Sequence, residues 1–365
     1  MGLDNLKTKD DYLQGKNIVL GLSGGMDSVV LLHYLHTHFP KQLRVVHCNH
    51  HLSEHCDHWH AFCQQICKSL NIPYKNIDFY LEKTSNIEEN ARKKRYFSLS
   101  CDLNQDEILC TAHHQDDQAE TLLLQLFRGA GVAGLASMPS QKPLGIGIHY
   151  RPMLGIGKQQ VIDYATQHKL NWIEDDSNKD TNFRRNLLRL EIIPLLSKIY
   201  QNLTKSLARS AKHQSEALKL MRELAELDIQ TNDLLDANNR LQIDALTTLQ
   251  LHRIKNVLRH QLNQLNFLAP SDKILDQIIE LLSAKADATP LVRWDEFEVR
   301  RYQQSLYFIN NTTEKISEKC PIHTELENFP NFSIRYRAEG QRIKLPGKKH
   351  SQSLKKVLQE AGIPP

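Results

Sequence analysis

The sequence predicts an α/β protein: a doubly wound, Rossmann-like parallel sheet in the first two hundred residues, then a mostly helical middle and a small α+β end. Three observations carry this reading. Short apolar runs alternate with helical patterns from residue 17 to about 200, the order that gives a parallel sheet covered on both faces. Composition changes after Leu196, and apolar residues then recur at helical spacing. The chain closes on a basic segment, with eight Lys or Arg against two Glu from Arg335 to Pro365, while the remainder holds 38 basic and 40 acidic residues.

Each element follows from a local pattern. Ile18–Leu22 is an apolar run that fits a buried strand, and Val29, Val30, Leu31 and Leu32 begin the helix behind it. Leu43–Cys48 reads as a second strand, Asp57–Leu70 as a helix and Tyr74–Phe79 as a third strand. Ile87–Leu103 suits a helix and Ile108–Ala112 a fourth strand. Asp116–Phe127 suits a helix ended by Gly129 and Gly131. Leu203–Leu227 is one long helical stretch. Leu251, Ile254, Leu258, Leu262 and Leu265 mark another, and Ser271 caps a helix carrying Ile274, Ile278, Leu281 and Leu282. These stripes are most simply a helical core. Leu291–Ile309 turns strand-like, and Thr312–Cys320 is a polar linker. The expected domains are residues 1–200, 201–315 and 325–365, without internal repeats.

Composition bounds the function. A length of 365 residues suggests two or three domains, and 40% hydrophobic with 24% charged residues is that of a soluble globular protein. No apolar stretch approaches membrane-spanning length, and the polar start has no signal-peptide core, which points to a cytoplasmic protein. The seven cysteines are odd in number, and six precede residue 111, unlike a secreted disulfide framework. The basic end suits phosphate contact or plain solvation equally well.

The chemistry concentrates in four places. Between the first strand and its helix stands Ser23-Gly24-Gly25-Met26-Asp27-Ser28. Glycines there let backbone approach an anion, which the free N–H groups and positive end of the helix then face. A carboxylate in such a loop suggests a divalent cation that offsets the repulsion. The loop lacks the Lys of a Walker motif and the spacing of a dinucleotide motif. Second, Thr111–Thr121 reads TAHHQDDQAET where a strand becomes a helix, and Asp116 or Asp117 shares a helix face with Glu120. That pair suits a metal or an amino group; the two aspartates also simply favour a helix start. Third, Arg92, Arg95 and Tyr96 lie within one turn of Asn90–Tyr96, where arginines can meet ATP phosphates, a nucleic-acid backbone or only water. Fourth, the acidic Asn171–Asn178 precedes a basic helix start with Arg184, Arg185 and Arg189.

The SGGMDS loop resembles that of the PP-loop ATP pyrophosphatases. Together with HCNHHL, ENARKKRY, TAHHQDDQAETLLLQLFRGAG, RPML, WIEDDSN and RRNLLR, it makes residues 15–200 resemble the tRNA(Ile)-lysidine synthetases. The resemblance continues more weakly through the middle. RAEGQRIKLPGKKHSQSLKKVLQEAGIPP is similar to the start of that family's C-terminal domain, which usually runs on, so the chain reads as truncated or as a natural short form.

The resemblance implies ATP and Mg2+ as cofactors, and free L-lysine and an isoleucine tRNA with a CAU anticodon as partners. The wobble cytidine would be adenylated at O2 and then attacked by lysine. It implies that Leu22, Ser23, Gly24, Gly25, Met26, Asp27, Ser28 and His47 bind ATP, with Asp27 holding magnesium. Asp117 and Glu120 would bind lysine. Arg92, Arg95, Tyr96, Arg151 and Arg189 would meet the tRNA or the intermediate. Asp27, His113, Asp117 and Arg185 would be catalytic, with His113 or a carboxylate accepting the lysine proton. It allows a homodimer.

Rival readings are weaker. A cytidine thiolase of the same superfamily wants paired CxxC motifs, whereas Cys63 and Cys67 have three residues between them and Cys101 and Cys110 are isolated. An amidotransferase wants an N-terminal Cys nucleophile. A zinc or nuclease module draws on the His- and Cys-rich residues 47–67, which otherwise read as a polar helix face. Intact Ser23, Asp27 and Asp117 argue against an inactive tRNA-binding protein.

Overall fold

A computed structural model of the chain describes residues 12–49, 51, 55–80, 87–175, 179–284, 290–311, 340–345, 347 and 350–360. The linker 312–320, most of the basic end, Cys320 and residues 176–178 of the acidic segment lie outside the described residues. The chain divides into two compact units, Met1–Lys219 and Leu220–Pro365. The division falls inside a long helix and not at residue 200, because the helix runs on past the composition break.

In the first unit the apolar run forms β1 (Asn17–Gly21) and passes through the Ser-Gly-Gly turn into α1 (Met26–His38). Then follow β2 (Leu43–Asn49), α2 (Cys56–Ser69), β3 (Tyr74–Asp78), α3 (Ile87–Asp102), β4 (Glu107–Cys110), α4 (Gln115–Phe127) and α5 (Val132–Leu135). A hairpin of β5 (Gln141–Leu144) and β6 (Gly147–Tyr150) leads to α6 (Lys158–Gln167). The sheet order is β3-β2-β1-β4-β6-β5. All neighbours are parallel except the hairpin pair β5 and β6. Chain order reverses between β1 and β4, which opens a crevice at their carboxyl ends. The core is built from Ile18, Leu20, Val30, Leu31, Leu35, Val45 and their neighbours on α1, α2 and α6.

The sheet is parallel as expected apart from one antiparallel edge strand, because the short stretch 141–150 folds back on itself. Its four-residue strands are too brief to show a period, and Pro143 sits on the edge strand, where a missing N–H costs little. Gly147 is required where β6 meets β4: a Cβ there would stand 2.7 Å from Glu107 O. And Gly131 does not end α4; Gly129, at φ +70°, does, while Gly131 caps α5.

Beyond α6, α7 (Arg184–Leu187) continues through a π-helical turn (Leu188–Ile192) into α8 (Ile193–Ser197), and α9 spans Leu203–Thr231. The second unit packs α10 (Ile243–Leu246), α11 (Leu251–Gln264) and α12 (Asp272–Ser283) with an antiparallel sheet of β7 (Leu291–Trp294), β8 (Phe297–Tyr302) and β9 (Ser305–Asn310). Ser271 accepts the Ile274 N–H at the start of α12, as expected, and buried Arg301 donates to Leu281 O and Leu282 O at its end. A short pair, β10 (Arg342–Ile343) and β11 (Gln352–Ser353), precedes α13 (Leu354–Glu360). Among the described residues no helix is long and apolar enough to cross a membrane.

At the amino end of the sheet Arg44 holds two buried carboxylates, with Nη1 2.6 Å from Asp102 and Nη2 2.6 Å from Glu107. Removing the arginine leaves uncompensated buried charge, so Arg44→Met should cost about 3 kcal/mol in urea unfolding. Arg44 holds Glu107 below its ordinary range, and at Asp102 Lys75 and Arg44 outweigh burial to the same end. Groups with depressed pKa stabilise above the unfolded carboxylate pKa and lose that contribution as pH falls through the folded one. Acid unfolding of Arg44→Met should therefore be shallower below about pH 4. An unchanged acid limb would show that this cluster carries no such stability.

Gly24 sits at φ +88°, and a Cβ there would lie 3.2 Å from Cys63 Sγ and 3.3 Å from Ile173 Cδ1. Gly24→Ala should lower stability by about 1–2 kcal/mol from backbone strain alone. An unfolding midpoint equal to that of the parent would contradict this reading of the turn.

Candidate active site

The Ser23–Ser28 turn joins the carboxyl end of β1 to the start of α1 at the crevice. Gly25 caps α1 without any side-chain oxygen, so the first N–H groups of the helix are not capped by it. Ser23 Oγ donates to Ser28 Oγ (3.1 Å), which donates to Gly25 O (2.9 Å), fixing the turn. Ile173 N donates to Gly24 O (3.0 Å), so the acidic segment after α6 lies against the loop. Leu22 and His47 are committed to each other. Leu22 N donates to Val46 O (2.9 Å), and His47 Nδ1 lies 2.8 Å from Leu22 O. Both residues, expected from the resemblance to bind ATP, are buried, and these backbone groups of Leu22 are already engaged.

Asp27, in the first turn of α1, meets two N–H partners, the Lys158 ammonium and the His114 ring. Lys158 Nζ stands 2.7 Å from Oδ1, and His114 Nε2 stands 3.6 Å from Oδ2. Burial opposes its charge, but His114 and Lys158 outweigh it and hold the carboxyl at about 2. An ionised carboxylate oxygen beside a phosphate site is a fitting donor for Mg2+, which takes one or two carboxylates plus substrate phosphates.

The second half of the site begins at α4. His114 caps this helix: its Nδ1 accepts the Asp116 N–H (3.2 Å), and Asp117 Oδ2 accepts the His114 N–H (2.9 Å). His114 Nε2 also lies 3.6 Å from Asp117 Oδ2. Burial works against charging His114, but Asp27 and Asp117 prevail and raise its pKa. Asp116 Oδ2 accepts the Lys158 N–H (2.9 Å), tying α6 to α4. The aspartates thus serve the helix start and the crevice together.

Glu120 is clasped from the far side. Arg185 Nε lies 2.7 Å from Oε2, and Arg189 Nε 2.7 Å from Oε1; Arg189 Nη2 also reaches Asp117 Oδ1 at 3.2 Å. The π-helical turn that follows Arg185 carries Arg189 four residues on, and both guanidinia reach one carboxylate. With its side chain 1% exposed and both oxygens on arginines, Glu120 is not the open lysine ligand expected of it. Asp117, at 13%, retains access. Likewise Arg189 is engaged by carboxylates and not held ready for tRNA.

A third group surrounds Tyr96. Arg92, Arg95 and Lys142 lie 5.2, 5.5 and 5.6 Å from its ring centroid, within cation–π range. No carboxylate among the described residues pairs with Arg92 or Arg95, so this wall is positive. Arg151, expected to contact tRNA, is instead 3% exposed, with Nη1 donating to Pro139 O (2.6 Å) and Nη2 3.2 Å from His149 Nδ1. Thr111 Oγ1 lies 2.8 Å from both His149 Nε2 and His113 Nδ1. Burial lowers His113 to about 3, with Arg151, Arg92 and Arg185 adding to it against Asp117.

Ser23, Asp27, Asp117 and His113 thus converge at one crevice, with Glu120 and Arg185 behind them. His114, Lys158 and His149 were not singled out from sequence. Gly157 before a polar helical run was the one signal for Lys158; His149 gave none, lying in a strand too short to read. Cys63 and Cys67 are core residues whose thiols burial pushes up to about 12, poorly suited to a metal that binds thiolate.

A family model for a PP-loop domain matches residues 3–196, one for the TilS substrate binding domain residues 241–307, and one for the TilS substrate C-terminal domain residues 332–365. The tRNA(Ile)-lysidine synthase of Legionella pneumophila (strain Paris) is 38% identical over 96% of this chain and 87% of its own length. That of Coxiella burnetii (strain RSA 493 / Nine Mile phase I) is 37% identical over 98% of this chain and 86% of its own. That of Serratia proteamaculans (strain 568) is 36% identical over 96% and 86%. With a PP-loop crevice of this geometry and more than a third of its residues shared along nearly the whole chain, the protein belongs to the tRNA(Ile)-lysidine synthase family.

Proposed function

We infer that the chain forms lysidine on tRNA(Ile) in the cytoplasm, acting as a ligase that makes a carbon–nitrogen bond. The C2 oxygen of the wobble cytidine attacks the α-phosphate of ATP, and the bond to pyrophosphate breaks. The ε-amine of free lysine then attacks C2; the C2–O bond breaks, AMP leaves and the amine gives up a proton. One observation carries the reading: His114 Nε2 stands 3.6 Å from Asp27 on the phosphate loop and 3.6 Å from Asp117 on α4. A phosphate site and an ammonium-seeking carboxylate are therefore one site, as a reaction using ATP and then an amine requires.

In this reading Ser23, Gly24, Gly25, Met26 and Ser28 hold the ATP phosphates, and Lys158 moves from Asp27 onto them. Asp27 then holds Mg2+, which offsets phosphate charge. Asp117 draws the cationic lysine, while Glu120 acts at one remove by holding Arg185 and Arg189 over the crevice. The unpaired Arg92 and Arg95 meet phosphate, and the cytidine is extruded from its stack to reach them. Residues 1–200 carry catalysis, while 201–315 and the basic segment from 325 on grip the tRNA.

The test supplies labelled lysine, ATP and magnesium with a transcript bearing CAU, and the same transcript with U at the wobble position. Label resistant to mild base should enter the first alone; no label in it overturns the reading. Asp117→Asn should raise the KM for lysine roughly tenfold to a hundredfold through loss of one charged contact, leaving that for ATP unmoved. Lys158→Met should do the reverse. Equal effects on both substrates in either variant would contradict the assigned roles.

A further inference from the structure

Behind the crevice runs a file of four side chains whose protons can be located. A guanidinium has only N–H donors and does not deprotonate, so Arg151 Nη2 donates to His149 Nδ1, 3.2 Å away. His149 is wholly buried, and burial and Arg151 hold it at about 2, so its ring is neutral with the single proton on Nε2. That proton goes to Thr111 Oγ1 at 2.8 Å. Thr111 has one hydroxyl hydrogen, and with His149 as donor it directs this hydrogen to His113 Nδ1, again at 2.8 Å. His113 Nδ1 is therefore an acceptor, and the proton of the neutral ring sits on Nε2. Among the described residues Nε2 has no protein partner.

We propose that Arg151, His149 and Thr111 are positioning residues that lock His113 as the Nε2–H tautomer, so that His113 donates a hydrogen bond to an oxygen of the reacting base or phosphate and does not accept the lysine proton. The proposal rests on the reading that this crevice forms lysidine. It replaces the expectation of His113 as a base. Protonating His113 would put N–H against O–H at Thr111, turning the file against itself. The charges facing the ring agree: Arg151 from the β6 side, Arg92 from α3 and Arg185 from α7 oppose a cation, and Asp117 on α4 alone favours one. A neutral imidazole held this way polarises an oxygen without competing for its proton.

The test has a spectroscopic and a kinetic arm, both on the full chain. In 15N-histidine protein, with His113 assigned by its loss in His113→Gln, the ring should show the Nε2–H pattern without titration from about pH 6 to 8. An Nδ1–H pattern, or a midpoint in that range, overturns the proposal whether or not the protein makes lysidine. If the parent makes no lysidine while the spectrum shows Nε2–H, the functional reading falls, and with it the catalytic half of the proposal. In the kinetic arm, Gln sets an amide N–H near the place of Nε2–H but cannot act as a base. His113→Gln should thus keep kcat within about tenfold, and His113→Ala should lose on the order of a hundredfold. Equal losses overturn the donor role. Thr111→Val should cost roughly tenfold in kcat with both KM values unmoved and should mix the tautomers, while Thr111→Ser restores both. A Thr111→Val protein with the parent kcat and spectrum overturns the lock.

Discussion

The site depends on His114 being shared. Its backbone N–H and ring cap α4 together with Asp117 and Asp116, and the same ring reaches Asp27 across the crevice. A residue that only capped would leave the loop and the carboxylates as neighbours with no common geometry. Because the cap fixes the ring, and Nδ1 is spent on the Asp116 N–H, Nε2 must face Asp27 and Asp117. The helix start thereby sets the spacing between Asp27 on the loop and Asp117 on α4.

Charge is arranged in the same graded way. Near the phosphate loop each acid has a cation: Asp27 has Lys158, and Asp117 and Glu120 have Arg185 and Arg189. Near Tyr96 no carboxylate among the described residues forms an ion pair with Arg92 or Arg95. A polyanion approaching the crevice therefore meets uncompensated charge first on the α3 wall, and then pairs that must exchange partners to accept a ligand. Exchange of one ion pair for another costs less than desolvating a lone charge, so these paired carboxylates and cations are stable in the crevice without a ligand.

Much of this was legible in sequence, and the failures have physical reasons. The strands β1, β2 and β4 announce themselves as apolar buried runs, while β3 is half exposed and rests on its place in the strand–helix alternation. Ser23, Asp27, Asp117 and Glu120 were singled out because the Ser-Gly-Gly turn and the carboxylates after β4 both fall at strand ends, although the aspartates also suit a helix start. The partners of those carboxylates were not: Glu120 meets Arg185 and Arg189 only through the fold, sixty-odd positions on in the chain. Arg151 was expected to meet the tRNA or the intermediate, and nothing local reveals that it is buried behind the β5–β6 hairpin. Thr111 follows the last residue of β4 and His149 lies on the adjacent β6, and only the pairing of those strands brings them together.

The proton chemistry follows from that burial. Asp27 is held at about 2 and His113 at about 3, while a free lysine amine titrates near 10.4. Neither group is a base of useful strength against an ammonium, so their part is to place charge. Lys142 shows the field that an amine meets here: burial first, then Arg151 and Arg92, lower its pKa. The same arginines face His113 beside the crevice. An amine that enters from Asp117 toward them leaves a carboxylate that favours its proton for cations that oppose it. On the proposed lysine reading, Asp117 would favour the incoming ammonium while Arg92 and Arg151 would oppose it, a difference that would ease loss of the proton before attack.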